Sequence, residues 1–78
     1  MNKDAITLTT LSARLERAIH ADVGMPGLNI LLYGWITKYG RCSRLQLADR
    51  KREQGEPYLT YSEAVHFSNY AGYDLTVD

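Results

Sequence analysis

The run Leu28-Asn29-Ile30-Leu31-Leu32-Tyr33-Gly34-Trp35-Ile36-Thr37-Lys38-Tyr39 decides how this chain folds. Its residues Leu28, Leu31, Leu32, Trp35, Ile36 and Tyr39 recur every three or four positions. That spacing gathers them on one side of an α-helix and is incompatible with the two-residue alternation of a strand. It predicts a core helix over residues 28–39, ended by Gly40, with Trp35 and Tyr39 on the buried side. Gly34 weakens that helix by about 1 kcal/mol relative to alanine, so another backbone is expected to pass close to it. Upstream, Gly24-Met25-Pro26-Gly27 reads as a tight connection, because the residue before proline avoids the helical region and glycine favours turns.

Before that connection, Thr9 and Thr10 precede Leu11, Leu15, Ala18 and Ile19, a stripe that predicts a first helix over residues 10–21. Beyond Gly40-Arg41-Cys42, the capping box Ser43-Arg44-Leu45-Gln46 opens a third helix over residues 43–54, closed by Gly55 and Pro57. Its apolar residues are only Leu45, Leu47 and Ala48, so most of it should face water or a polar partner. A second box, Thr60-Tyr61-Ser62-Glu63, opens a fourth helix that stops at Gly72. Leu59 is placed to staple against Ala64, with Tyr61, Ala64, Val65 and Ala71 toward the core. Residues 5–9 and 73–78 alternate apolar with polar and are expected to pair as a short ribbon. The expected fold is mainly α: a compact bundle of about four short helices with a helix-turn-helix and short extended ends.

Seventy-eight residues leave room for one domain spanning 1–78, and 45% hydrophobic with 23% charged residues suits a globular chain. A domain this small buries only about 60% of its unfolded surface, so partner contacts would add to its stability. Cys42 has no second cysteine to pair with, which points to a cytoplasmic protein. The opening residues lack a long apolar core and Ile30-Leu31-Leu32-Tyr33 is far short of a bilayer span, so neither signal peptide nor anchor is expected. His20, His66 and Cys42 fall on separate predicted elements, without the paired spacing of a zinc site or a Cys–His nucleophile. No phosphate-cradling Gly-Lys-Ser/Thr loop is present. The expectation is a non-enzymatic protein with no metal and no cofactor.

Net charge is zero, but its distribution is uneven. Lys38, Arg41, Arg44, Arg50, Lys51 and Arg52 stand against Asp49 and Glu53, a local +4, whereas from residue 56 onward Glu56, Glu63, Asp74 and Asp78 give −4. Such a basic segment can meet phosphates, the chain's own acidic end, or the acidic end of a second copy. The second and third helices, joined by a short glycine-containing turn, have the layout of a DNA-reading pair: one helix anchored by a full stripe, the next left bare. Arg41, Arg44, Gln46, Arg50, Lys51 and Arg52 are the candidate DNA contacts, arginine and glutamine suiting base edges and lysine phosphates. Of the eight aromatic residues, Tyr58, Tyr70 and Tyr73 lack a clear core assignment. They are candidates for a partner interface, although tyrosines closing a small core would look the same.

Glu53-Gln54-Gly55, Pro57, Leu59, the helix over residues 60–71 and Gly72-Tyr73-Asp74-Leu75 resemble the closing part of small phage-repressor-type helix-turn-helix domains. The resemblance covers roughly a third of the chain through short, permissive motifs. It implies a compact helical transcriptional regulator that binds double-stranded operator DNA as a homodimer and lacks catalysis. The competing expectation is a protein-interaction module such as a small antitoxin, an adaptor or a phage-encoded inhibitor of a host protein complex. Zero net charge, the acidic end and the tyrosines favour it. Neither expectation involves a membrane.

Overall fold

The computed structural model describes residues 5–75. Among them the order is β1 (Ala5–Thr7), α1 (Leu8–Ile19), α2 (Gly24–Tyr39), α3 (Arg44–Gln54), β2 (Tyr58–Thr60) and α4 (Tyr61–Ala71). The protein is mainly helical, as the periodicity predicts, and the strands form one short antiparallel pair centred on Ile6 opposite Leu59. Each strand runs directly into a helix through a threonine. Thr7 accepts a hydrogen bond from the Thr10 backbone N–H, and Thr60 accepts one from that of Glu63. Two orphan donors of the first turns are thereby satisfied. Antiparallel pairing makes α1 and α4 leave this ribbon at opposite ends.

The ribbon's partner differs from the expected one. Residues 5–7 pair with 58–60, residues 8 and 9 are already helical, and residues 73–75 form no strand. Tyr73 and Leu75 are both buried in the core, so the terminal alternation marks two plugs and not a pleated face. Thr76, Val77 and Asp78 lie outside the described residues.

Leu11 and Leu15 of α1, Leu28, Leu32 and Trp35 of α2, Leu59 of β2 and Phe67 of α4 meet in one core. Fully burying each such side chain contributes about 1.5–3 kcal/mol. The Trp35 and Phe67 rings pack edge to face, centroids 5.7 Å apart. The Trp35 indole N–H donates to His66 Nδ1 at 2.8 Å, so the largest buried ring keeps its polar atom satisfied. By contrast, Tyr39 is 44% exposed and Tyr61 45% exposed, so neither is the core residue its position on a stripe suggested. Tyr39 lies in the last turn of α2, beyond the reach of α1, where its ring packs edge-on against His66 and Tyr70. Gly34 does permit a close approach, but by a side chain: a Cβ there would lie 2.7 Å from the Tyr70 hydroxyl.

Two helix starts also differ from expectation. α1 begins at Leu8 because Thr7 is its cap. α2 begins at Gly24, four residues before the apolar stripe, and the cause is a distant carboxylate. Glu16 of α1 accepts hydrogen bonds from the backbone N–H groups of Val23 and Gly24, both at 2.8 Å, standing in for the cap that Val23 lacks. Pro26 then occupies the first turn, where a missing N–H leaves no intrahelical bond unmade. Gly24, at φ +66°, supplies the left-handed turn into it.

Candidate functional site

α3 is positioned by its inner edge alone. Ser43 and Gln46 form the capping box at its start, leaving Leu47 buried and Arg50 half-buried while the remaining residues of the helix are exposed. Its main packing is onto β2, not onto α2.

Arg50, predicted as a DNA contact, is turned into the protein. Its guanidinium pairs both nitrogens with Glu63, at 2.8 and 3.2 Å, donates to the Tyr58 carbonyl at 2.9 Å and lies 5.0 Å from the Tyr58 ring centroid. Glu63 also accepts from the Thr60 N–H at 2.9 Å, so one carboxylate joins the helix cap of α4 to the middle of α3. Burial alone would raise the Glu63 carboxyl. The hydrogen bonds from Arg50 and Thr60 outweigh it and hold the group below its ordinary value. Cys42, buried beside this pair, has its thiol pushed upward by burial and then by the Glu63 charge, the opposite of an activated nucleophile.

The other predicted contacts lie outside. Arg41, Arg44, Gln46, Lys51 and Arg52 are exposed. Arg52 is paired with Asp49, and the Gln46 side-chain oxygen accepts from the Ser43 N–H in the capping box. The Arg44 guanidinium lies 4.5 Å over the Tyr33 ring of α2. Among the described residues, Arg41, Arg44 and Lys51 have no carboxylate partner.

The three tyrosines predicted for a partner interface are not brought together. Tyr58 is half-buried on β2 under Arg50, and Tyr70 packs edge-on against Tyr39 at 6.0 Å. Tyr73 is buried, with a hydroxyl that meets no hydrogen-bond partner among the described residues. Burial, only partly offset by Arg14, pushes that phenol up to about 12. Tyr73 therefore fits the core-closing alternative.

His20 forms the left-handed C-cap of α1, while His66 is held by Trp35. Among the described residues, no three His, Cys, Asp or Glu side chains converge as metal ligands. No described helix is long and apolar enough to cross a membrane.

What the sequence did not reveal is a groove. Because α3 rests on β2, α2 and α3 stand apart and enclose an open cleft of about 580 Å³. Leu32 and Leu47 lie at its base, Met25 and Tyr33 on one wall, and Leu45, Ala48, Arg44 and Lys51 on the other. Leu45 is 79% exposed beside it, and Ile30, on the outer side of α2, is 75% exposed. The available signal was that Ile30, Tyr33 and Leu45 fall off the stripes of their own helices. A second hollow, about 510 Å³, is lined by Arg14, Arg17, His20 and Tyr73 among others. Arg17 stands in the last turn of α1, where the carbonyl end of the helix itself favours a cation. Comparison with protein-family models, curated proteins and solved structures gives no match.

Proposed function

We propose that this protein is a non-enzymatic protein-interaction module whose docking face is the α2–α3 groove. The observation that carries the reading is the groove's combination of apolar walls with an exposed Leu45 at its edge, on a chain with zero net charge. Exposed apolar side chains scattered singly need no explanation. Gathered around a cleft and rimmed by polar groups, they mark a surface that a partner covers. Site-specific photo-crosslinking in the source cells tests it. A photoreactive residue replacing Leu45 should give one discrete protein adduct, identified by mass spectrometry, and the same residue replacing exposed Ser62 on α4 should not. Equal labelling from both positions would refute the reading.

Exposed Arg41, Arg44, Gln46, Lys51 and Arg52 favour a second reading, a DNA-binding transcriptional regulator of the kind the phage-repressor resemblance implies. Two facts weigh against it. Arg50 is committed to Glu63, and the outer side of α3 carries Asp49 and Glu53 among its bases. The discriminating measurement is a mobility shift on duplex DNA at low salt. The second reading requires binding that weakens steeply with salt, with a slope reduced by about one for Lys51→Ala. Arg50→Ala is unsuitable for this assay, since it removes the anchor of α3.

A further inference from the structure

The groove is apolar on both walls, but its charge is one-sided. Arg44 and Lys51, both on α3, are the charged residues of its lining, and no carboxylate belongs to it among the described residues. Neither has a carboxylate partner among the described residues. They are seven positions apart, two turns of α3, which separates them by about 10 Å along the helix axis. Leu45 and Ala48 lie between them in sequence, and Met25 and Tyr33 face them from α2.

We propose that the occupant of this groove is an acidic amphipathic helix of another protein. Its apolar side chains enter between α2 and α3, and its carboxylates, about seven residues apart, meet Arg44 and Lys51. This rests on the interaction-module reading and adds the chemical class of the partner. Charge complementarity selects the acid, since two exposed cations without a carboxylate partner among the described residues attract an acidic segment, repel a basic one and give a neutral one no such gain. A cleft of about 580 Å³ has room for a few apolar side chains, as expected for anchors and not for a whole domain face. The chain's own acidic end does not fit the role, because Tyr73 and Leu75, its apolar residues among those described, are buried in the core. A second copy fits poorly as well. Among the described helices only α3 exposes more than one carboxylate, and Asp49 there is paired with Arg52.

The test uses the full chain and two synthetic peptides of about 14 residues. Both carry a leucine stripe flanked by two charged positions seven apart, glutamate in one peptide and lysine in the other. Fluorescence anisotropy should show micromolar binding of the glutamate peptide, at least tenfold weaker binding of the lysine peptide, and weakening with added salt. Lys51→Glu, Arg44→Glu and Leu45→Glu, all at exposed positions and checked for an unchanged thermal melt, should each reduce binding of the glutamate peptide about tenfold. Lys51→Glu should also gain affinity for the lysine peptide, which a merely misfolded variant would not. Amide shifts should fall on Met25, Tyr33 and Leu45. Equal binding of the two peptides, binding of neither, or displacement by a duplex of about 20 base pairs overturns the proposal. A protein adduct from position 45 together with no preference for the glutamate peptide would leave the module reading standing and remove only the acidic partner. Failure of both removes both.

Discussion

At the scale of single residues, carboxylates do more structural work than their number suggests. Glu63 serves three groups at once: the Arg50 guanidinium, the Thr60 N–H and, through Arg50, the Tyr58 carbonyl. Both partners of the ion pair retain 15% side-chain exposure, which places it between the surface regime and the fully buried one. Glu63→Gln should therefore cost about 2–3 kcal/mol at neutral pH, read from urea unfolding. The carboxyl sits below its ordinary value in the folded protein, so its contribution is complete above the unfolded carboxylate range and disappears as pH falls through the folded value. The parent protein should lose stability as pH falls below about 5, and Glu63→Gln should lose distinctly less. Equal losses would exclude the carboxylate as the cause. The capping role of Glu63 was legible in the sequence because the box spans only four residues, Thr60 to Glu63. Its partnership with Arg50 was not, because only the tertiary fold sets α3 beside α4. The same distinction explains Glu16, whose capping of α2 crosses from another helix and left Gly24-Met25-Pro26-Gly27 looking like a plain turn.

At the scale of elements, the two capping boxes located their helices, whereas the stripe of α1 and the Gly24-Met25-Pro26-Gly27 signal misplaced two helix starts and the pairing signal failed. Both capping boxes are formed, and α3 and α4 start and stop where their sequences require. The leucine stripe of α2 correctly names Leu28, Leu32 and Trp35 as core, but periodicity assigns an angle and not a depth, so it could not show that Tyr39 packs at the margin against His66 and Tyr70 and stays 44% exposed. Strand pairing failed for a related reason: alternation shows that a segment can be extended and is silent about which segment lies beside it. The contact between Gly34 and Tyr70 makes a sharp prediction. An alanine at an interior helix position ordinarily gains about 1 kcal/mol over glycine, but here its Cβ meets the Tyr70 hydroxyl. Gly34→Ala alone should be neutral or destabilising, whereas in a Tyr70→Phe background it should stabilise by about 1 kcal/mol. Additive effects across that double-mutant cycle would show that the two helices do not meet at this point.

For the molecule as a whole, one group sets an alkaline limit to stability. The buried Tyr73 phenol is raised to about 12 from an ordinary 10.0, so burial favours its neutral form. The sign is opposite to that of Glu63: the stabilisation is complete below the unfolded value and is lost as pH rises through the folded one. Unfolding midpoints should therefore drop between about pH 9 and pH 12, and Tyr73→Phe should flatten that drop at little cost near neutrality, since its hydroxyl meets no partner among the described residues. The groove belongs to this scale too, and that is why the sequence concealed it. No single helix carries the feature; it exists because α3 leans on β2 and stands off α2. The β1–β2 ribbon has a consequence in time. Ile6 waits for Leu59, roughly fifty positions along, and the core also needs Leu75 before it closes. While it is being synthesised on the ribosome, the polypeptide can set α1 against α2 early, but Leu59, Phe67 and Leu75 arrive last. The core therefore stays incompletely covered, and open to chaperones and proteases, until nearly all of residues 5–75 have left the exit tunnel.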